Sequence, residues 1–320
     1  MKSTSAPGQR EVKEDELLPS GRQIEIQHED QRLVVTEVGA GLRTYCKGEW
    51  EILDGYPVDT YCQAGRGQLL LPWPNRIRDG RYRFAEKIQQ LALTEPPRGH
   101  AIHGLTRYST WTVDEVGADW CSLSYLLYPQ PGYDFTLALA AEFRLGPQGL
   151  TVTVTATNLG QEELPYGAGA HPYLRLDEGG VDGWLLQVPA QATMENDDRA
   201  IPTGRLLSVA GTQFDFTSPR PIGQVQLDTC FTELQRGPDG LACVDLTSPD
   251  GQRRLKMWLN QDHPFVMLFT GDSLAPAERR RGLGVEPMTA APNAFQNLLG
   301  LRVIKPGETV HTAWGIVPVG

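Results

Sequence analysis

The sequence predicts an all-β protein, folded as one large antiparallel β-sandwich. Residues 150–157 alternate between apolar residues and threonines, which is typical of a half-buried strand. Elsewhere, short apolar runs are separated by turn-forming residues, mainly the 34 glycines and 24 prolines of the chain. Helical patterns are sparse. Strands and helices do not alternate along the chain, as they would in a protein with a parallel sheet. These three observations together favour an antiparallel sheet architecture.

The predicted elements follow one another at short intervals. Residues 135–145 lead into residues 150–157 across a Gly-Pro-Gln-Gly tetrad, so these two strands are predicted to form a hairpin. The further predicted strands are residues 122–128, 255–259, 265–270 and 309–317. The one helical candidate, residues 290–299, is expected to be short because Pro292 interrupts it.

Asp79-Gly80 is a strong local turn signal. A type I′ turn needs positive φ at both central positions, and an Asp-Gly pair adopts it readily. The sequence therefore predicts that the segments on either side pair with each other as a hairpin. Side chains alternate along a strand, so Arg76 and Arg78 are expected on one face. The segment on its own is typical of an exposed, arginine-rich hairpin.

Two regions are predicted along the 320 residues. Residues 1–22 are rich in charged residues, serine and proline and contain little to bury, which predicts a flexible N-terminal tail. Residues 23–320 are predicted to form a single β-sandwich domain, since no internal repeat and no low-complexity linker divides them. Motifs spread over this domain can meet only if neighbouring strands present their side chains on one concave face.

Charge and composition narrow the partners and the location. The net charge of −10 argues against binding to nucleic acid or to an anionic membrane surface. Residues 1–20 lack the apolar segment that a signal peptide would have. The sequence contains no run of 18 apolar residues, so no membrane span is predicted. The five cysteines form no C-x-x-C pair and fit a reducing compartment. The sequence therefore predicts a soluble, cytoplasmic protein.

His171 and Glu286 are the candidates for acid–base chemistry. His171 follows a run of glycines and alanines and precedes Pro172, and Glu286 lies far downstream, before Pro287. Histidine exchanges a proton near neutral pH, and a carboxylate on the other side of a substrate can do the reverse. The alternative is that His171 is a structural histidine at the end of a strand.

No metal or cofactor is predicted. His100 and His103 are three residues apart, but no cysteine adjoins them and no further ligand is apparent, so a zinc site is not favoured. The arginines near residue 80 do not follow a glycine-rich loop that leads into a helix, so no phosphate cradle is indicated. The G-x-S-x-G elbow of serine hydrolases is absent.

Taken in order, five motifs resemble those of the aldose 1-epimerase (galactose mutarotase) family, and they extend over roughly residues 30 to 317. The motifs are Asn75-Arg76 with Gly80, His103-Gly104, His171-Pro172-Tyr173, Asp228 in the segment 227–231, and Glu286-Pro287. The resemblance implies a galactose mutarotase-like supersandwich, which agrees with the fold class predicted above. It also implies an enzyme of carbohydrate metabolism, an isomerase that acts on a small-molecule sugar without cofactor.

The resemblance further implies roles for individual residues. His171 would protonate the ring oxygen of the sugar, and Glu286 would take the proton from the anomeric hydroxyl. The ring would open to the aldehyde and close on the other face. The residues that would hold the sugar hydroxyls and the ring are Arg76, His103 and Asp228, with Asn75 supporting them.

Trp73 and Arg107 are two further candidates for the site. Trp73 is a candidate for stacking on a sugar ring, although core packing explains a tryptophan equally well. Arg107, close to the His103 motif, is a candidate for binding an anionic substituent of an acidic or sulfonated sugar. The alternative places Arg107 on the surface, paired with Asp114 or Glu115.

Two other functions remain open from the sequence. A non-catalytic carbohydrate-binding protein of the same fold would need hydrogen bonds to the sugar but no acid–base pair. A glycoside hydrolase is less favoured, because such enzymes normally use two carboxylates on either side of the bond.

Overall fold

The structure, a computed structural model, describes residues 17–320. The predicted tail therefore falls mainly outside the described residues, and the first strand begins at Gln23. All five cysteines are free thiols. Among residues 17–320, no helix is long and apolar enough to cross a membrane.

Strands account for nearly all of the regular structure. The N-terminal strands are β1 Gln23–His28, β2 Gln31–Thr36, β3 Gly41–Lys47, β4 Trp50–Glu51, β5 Leu69–Leu70, β6 Arg76–Arg78, β7 Arg81–Phe84, β8 Lys87–Gln90 and β9 His100–Ile102. The central strands are β10 Thr112–Val116, β11 Trp120–Leu127, β12 Leu137–Gly146, β13 Gly149–Asn158, β14 Leu164–Tyr166, β15 Gly169–Ala170, β16 Tyr173–Leu174, β17 Leu185–Gln187 and β18 Ala190–Asn196. The C-terminal strands are β19 Pro202–Ser208, β20 Arg220–Pro221, β21 Asp228–Leu234, β22 Ala242–Thr247, β23 Arg254–Leu259, β24 Phe265–Phe269, β25 Leu283–Met288, β26 Arg302–Ile304 and β27 Thr309–Val319. The helical elements are the 3-10 turn Val181–Gly183 and α1 Ala294–Asn297.

Two large antiparallel sheets form the sandwich. One has nine strands in the order β10-β11-β12-β13-β27-β23-β22-β17-β20. The other has eight strands, ordered β19-β18-β21-β24-β25-β15-β5, with β16 also paired to β25. Phe143 and Trp314 of the nine-stranded sheet belong to the same buried apolar cluster as Leu268 and Val285 of the eight-stranded sheet. This shared core confirms the predicted all-β antiparallel sandwich.

The predicted hairpin and strands are confirmed. Strands β12 and β13 pair along their whole length, from Leu137 opposite Asn158 to Gly146 opposite Gly149. The observed β11, β23, β24 and β27 cover the other segments predicted as strands, with ends that differ by one or two residues. The helical candidate shortens to the four residues of α1.

The prediction that the segments around Asp79-Gly80 pair with each other is wrong. Both residues have positive φ, 56° and 60°, so the chain does turn there. However, β6 pairs with β9, and β7 pairs with β8. Burial explains the choice of partners, because Ile77 lies opposite Ala101 and both side chains are buried. Arg76 is also buried, so the segment is not the exposed hairpin that its composition suggests.

The eight-stranded sheet presents one face to the candidate site. Residues directly opposite each other in an antiparallel pair lie on the same face, and Met267 lies opposite Glu286. Along the same strands, Phe269 lies opposite both Asp228 and Gly284. The β6–β9 ribbon approaches this face and brings the N-terminal motifs to it. Side chains from distant parts of the chain thus converge as expected.

Candidate functional site

Small residues allow the chain around His171 to fit into the sheet. A Cβ on Gly169 would lie 2.8 Å from Cβ of Pro74, and one on Gly167 would lie 2.7 Å from Cβ of Ala290. The backbone N–H of His171 donates to Gln68 O at 3.0 Å, and its carbonyl accepts from Gly67 N at 2.9 Å. This close backbone packing fixes the position from which the imidazole extends.

His171 and Glu286 form a buried pair. Nε2 of His171 lies 3.2 Å from Oε1 of Glu286, and the two residues are 6% and 2% exposed. Burial, with the nearby charge of Arg107, lowers the pKa of His171 to about 3. Burial, with the charge of Asp228, raises the pKa of Glu286 well above its usual range. Burial thus favours the uncharged form of both groups.

The second carboxylate oxygen of Glu286 is free to meet a ligand. Oε2 is buried and has no hydrogen-bond partner among residues 17–320. Buried carboxylate oxygens are normally satisfied, so this oxygen is the natural acceptor for a hydroxyl that enters the pocket. The pair therefore combines an internal contact with one unused acceptor.

His103 is oriented by Asn75. Both residues have positive φ, 63° and 54°, and the N–H of His103 donates to the carbonyl of Asn75 at 2.9 Å. The N–H of Asn75 in turn donates to Nδ1 of His103 at 3.2 Å. Burial, followed by the charge of Arg107, holds the pKa of His103 well below its usual range. A neutral ring that accepts at Nδ1 carries its proton on Nε2.

Arg76 and Asp228 are connected through two residues that sequence reasoning missed. Arg76 makes a bidentate pair with Glu95, with Nε–Oε2 and Nη2–Oε1 distances of 2.7 and 3.0 Å. Arg98 bridges onward, 3.8 Å from Glu95 and 3.6 Å from Asp228. Alternating charges therefore line one wall of the site. Glu95 and Arg98 flank a Pro-Pro pair, a pattern typical of an ordinary loop, so the sequence carried no signal for them.

A cavity of about 330 Å³ joins these groups. This volume is at the lower end of the range for small-molecule pockets, about 300–1,000 Å³. Seven of the eight residues predicted for the site line it: Asn75, Arg76, His103, Arg107, His171, Asp228 and Glu286.

Trp73 is the exception and does not line the cavity. Its ring is 2% exposed and packs edge-on against Phe295, with ring centroids 5.5 Å apart. Its position in the core corrects the suggestion that it stacks on a sugar.

Arg107 does line the cavity, and the surface pairing considered for it is absent. Among the described residues it contacts no carboxylate within 4 Å, while Asp114 accepts from the Ser124 hydroxyl instead. Nη2 of Arg107 donates to the carbonyl of Ile102 at 3.3 Å. Most of its charge is thus left without a partner of opposite sign.

The histidines do not form the pair considered from sequence for a metal. Nδ1 of His100 accepts from the N–H of Asp79 at 3.1 Å, and Nε2 lies 3.2 Å from Arg199 O. A different set, His103, His171 and Glu286, brings its potential ligand atoms within 4.8 Å of one another. The positive charges of Arg76 and Arg107 beside these groups oppose a bound cation. That the protein uses no metal stays a prediction.

The fold and the site together define a class of protein: an antiparallel β-sandwich that carries a buried histidine–glutamate pair in a cleft lined by several charged side chains. The sequence profile of the aldose 1-epimerase family matches residues 22–314, and the chain belongs to this family. The match confirms the resemblance seen in the five motifs.

Individual relatives agree with this assignment. The chain is 32% identical over 290 residues to the uncharacterized protein YihR of Escherichia coli K12, covering 90% of this chain and 91% of that protein. It is 26% identical over 272 residues to galactose mutarotase of Sus scrofa, covering 77% and 76% of the two chains. The solved GalM/aldose epimerase homologue from C. elegans superposes with a TM-score of 0.82 at 20% identity, over 93% of this chain and 99% of that one. This last likeness concerns the fold alone.

Proposed function

We propose that the protein is an aldose 1-epimerase that interconverts the α and β anomers of a free hexose, with His171 as general acid and Glu286 as general base. The observation that supports this most directly is the buried pair, 3.2 Å between Nε2 and Oε1, in a chain that belongs to the aldose 1-epimerase family. The unused Oε2 of Glu286 supplies the acceptor that the reaction needs.

The proposed reaction conserves protons within the pair. The reaction starts when a proton passes from Glu286 to Nε2 of His171 across their 3.2 Å contact, which gives the ionised pair. The Glu286 carboxylate then accepts the proton of the anomeric hydroxyl while the bond between C1 and the ring oxygen breaks. His171 donates its proton to that ring oxygen, which leaves an open-chain aldehyde. Rotation about the C1–C2 bond presents the other face of the carbonyl, and both protons return as the ring closes. The pair therefore ends each turnover as it began, without a metal, nucleotide or covalent intermediate.

The remaining polar groups have roles in binding the sugar. Arg76 is held by Glu95 and His103 by Asn75, so both present fixed donors to the cleft. Asp228 is half-exposed at the mouth and can accept from a sugar hydroxyl. Fixed donors and acceptors orient the ring so that its two oxygens meet the acid and the base.

The first experiment follows anomer interconversion of a panel of pure α-anomers by polarimetry or proton NMR. EDTA-treated protein should accelerate the approach to equilibrium of at least one aldohexose above the uncatalysed rate in the same buffer. A folded protein that binds a sugar but accelerates none of them would instead be a carbohydrate-binding member of the family.

The acid–base pair is tested by His171→Asn and Glu286→Gln. Each should lower kcat by about 10²- to 10⁴-fold, the usual contribution of a general acid or base. His311→Asn, at an exposed histidine, is the matched control and should keep its turnover. Near-normal kcat in either site variant would show that its residue is wrongly assigned.

A second candidate function is the epimerisation of an acidic or sulfonated sugar. It is favoured by Arg107, a cation at the cleft that lacks a carboxylate partner among the described residues, whereas Arg76 and Arg98 both have one. A sugar with an anionic substituent would place opposite charge against this guanidinium.

Arg107→Ala separates the two candidates. If the substrate is anionic, the variant should lose about 1.5–3 kcal/mol of its preference for the acidic over the neutral sugar, judged by kcat/KM. Arg107→Lys keeps the charge and should retain part of the preference. Equal losses on charged and neutral sugars would leave a neutral hexose as the substrate.

The free thiols support a reducing compartment, such as the cytoplasm, for the proposed enzyme.

A further inference from the structure

We infer that Tyr173 and Arg66 are positioning residues for His171, forming a stack that holds the imidazole plane in the orientation facing Glu286. We call Arg66, Tyr173 and His171 the His171 stack. The inference rests on the proposed function for the importance of His171, but the contacts that carry it do not depend on any substrate.

The contact between the two rings is nearly parallel. The imidazole of His171 and the phenol of Tyr173 lie with centroids 5.0 Å apart and planes inclined by only 14°. Phe269 meets both rings edge-on, at 6.4 and 6.2 Å. Offset stacking and edge-to-face contact are the favoured arrangements of aromatic rings. The imidazole thus has an aromatic support along its plane and another at its edge.

Tyr173 is itself held at both ends. Its hydroxyl donates to the carbonyl of Ala64 at 3.0 Å, and its own carbonyl accepts from the N–H of Asp54 at 2.9 Å. The guanidinium of Arg66 lies over its ring, with Cζ 4.9 Å from the centroid, in a cation–π contact. A ring fixed at hydroxyl, backbone and face is a rigid support for the imidazole.

Arg66 is anchored in turn by buried and bridging carboxylates. Its Nε lies 3.4 Å from Oδ2 of Asp54, and its Nη1 lies 3.7 Å from Oε1 of Glu278. Arg66 and Asp54 are 4% and 2% exposed. Asp54 also accepts from Nη2 of Arg281 at 2.7 Å. Burying such a network is costly unless its members are mutually satisfied, so its presence beneath the site favours a role in holding geometry.

Gly65 limits the imidazole from another direction. Its φ of +75° favours glycine, and a Cβ built there would lie 2.9 Å from Cδ2 of His171. The backbone of residue 65 therefore approaches the ring as closely as a glycine permits. Between this backbone and the aromatic contacts, the imidazole has little freedom to rotate.

The stack also adds charge near the imidazole. The titratable and charged groups around His171 are Glu286, His103, Tyr173, Arg66, Arg76 and Arg107. Arg66, after burial and Arg107, contributes to the low pKa of His171. Removing that charge should favour the imidazolium, whereas replacing it with lysine should not.

The decisive experiment compares Tyr173→Phe with Tyr173→Leu. Phenylalanine keeps the ring and loses only the hydroxyl bond, so kcat should stay within about threefold of the wild type. Leucine removes the aromatic support, and a misplaced catalytic group can lower the rate by about 10²-fold. We expect a loss of about 10- to 100-fold in kcat, with KM within about threefold. A folded leucine variant with wild-type kcat, or equal losses in both variants, would overturn the inference.

Two Arg66 variants test the same stack without altering the aromatic rings. In Arg66→Met, the limb of the kcat pH profile that reports protonation of His171 should move to higher pH. In Arg66→Lys it should stay in place, because the charge is retained. If this limb moves by the same amount in Arg66→Met and Arg66→Lys, or moves in neither variant, Arg66 does not act on His171. This pair decides the question even if Tyr173→Leu fails to fold.

A structural readout separates this inference from the proposed function. Crystal structures of the ligand-free wild type and Tyr173→Leu should differ in the His171 ring, with the Nε2–Oε1 contact to Glu286 lost in the variant. An unchanged ring would refute the positioning role whatever the protein's activity. If no sugar is turned over by the wild type, the proposed function fails while the ring orientation still tests the stack.

Discussion

At the scale of single residues, burial decides how histidines in this protein can behave. His171 and His263 are both buried, and burial lowers the pKa of each to about 3. Only His171 faces the cleft, beside Glu286 and Arg107. His263 instead has both ring nitrogens in contact with protein, 2.7 Å from Asn260 Oδ1 and 3.1 Å from Thr312 Oγ1. Burial therefore lowers the pKa of both a proposed catalytic histidine, His171, and a structural one, His263.

His263 should make the protein sensitive to acid. Its folded pKa lies below the ordinary value of 6.5, so between about pH 6.5 and 3 the unfolded chain binds a proton that the folded protein does not. Stability is then lost as the pH falls through this window. Between pH 7.5 and 5 this one residue should account for a loss of about 2 kcal/mol in the free energy of unfolding.

Urea unfolding of the wild type and His263→Gln at both pH values measures this contribution. The variant should lose about 2 kcal/mol less than the wild type over the interval, whatever its stability at pH 7.5. His311→Gln, at an exposed position, controls for the loss of one histidine. Parallel losses in wild type and His263→Gln would contradict the assignment.

At the scale of elements, the β12–β13 hairpin shows how a turn becomes specific. The sequence predicted the hairpin from its tetrad, and the register closes with Gly146 opposite Gly149. The two glycines are not equivalent. Gly149 has a φ of +106°, and a Cβ there would lie 2.2 Å from Ile316 O, whereas a Cβ on Gly146 would meet nothing within 4 Å. Only one of them is required by the conformation and by the neighbouring strand.

Alanine substitutions should separate the two glycines. Gly149→Ala should destabilise the protein by more than about 1 kcal/mol, because it combines an unfavourable φ with a clash against backbone. Gly146→Ala is the matched control and should change stability little. Thermal unfolding midpoints measure both effects, and similar midpoints for the two variants would be inconsistent with the observed turn.

At the scale of the whole molecule, one apolar core links the three largest sheets. The main apolar cluster contains Leu33 of the four-stranded sheet β1–β4, Phe143 of the nine-stranded sheet and Leu268 of the eight-stranded sheet. A single hydrophobic core shared by several sheets is the mark of one domain. The arrangement supports the proposal that residues 23–320 form one domain.

Phe143→Ala tests this proposal, because Phe143 is fully buried in the nine-stranded sheet while the site lies on the other sheet. The substitution should cost about 3–5 kcal/mol. If the domain is single, denaturant curves followed by tryptophan fluorescence and by loss of the proposed epimerase activity should shift together. Separate transitions for the two probes would indicate that the sheets unfold independently.

Local sequence pattern was enough to predict the fold class, and the motifs nominated most of the candidate site residues. Period-two alternation is a property of neighbouring residues, so the strands near residues 150 and 309 were predictable from local pattern alone. The order of the five motifs identified His171 and Glu286 before any contact between them was visible. Local pattern was sufficient for the strands, whereas the resemblance to the family nominated the two site residues.

Which of these residues meet depends on the tertiary structure. The chain turns at Asp79-Gly80, but the flanking segments take other strand partners, because burial of Ile77 and the pairing of Arg76 with Glu95 stabilise the pairing of β6 with β9. Trp73 lies in the core, although tryptophan is a residue that can stack on a sugar ring. Arg66 supports the site from below although nothing in its sequence neighbourhood indicates it. Such contacts join residues far apart in the chain, so they depend on strand pairing and burial, which no local pattern records.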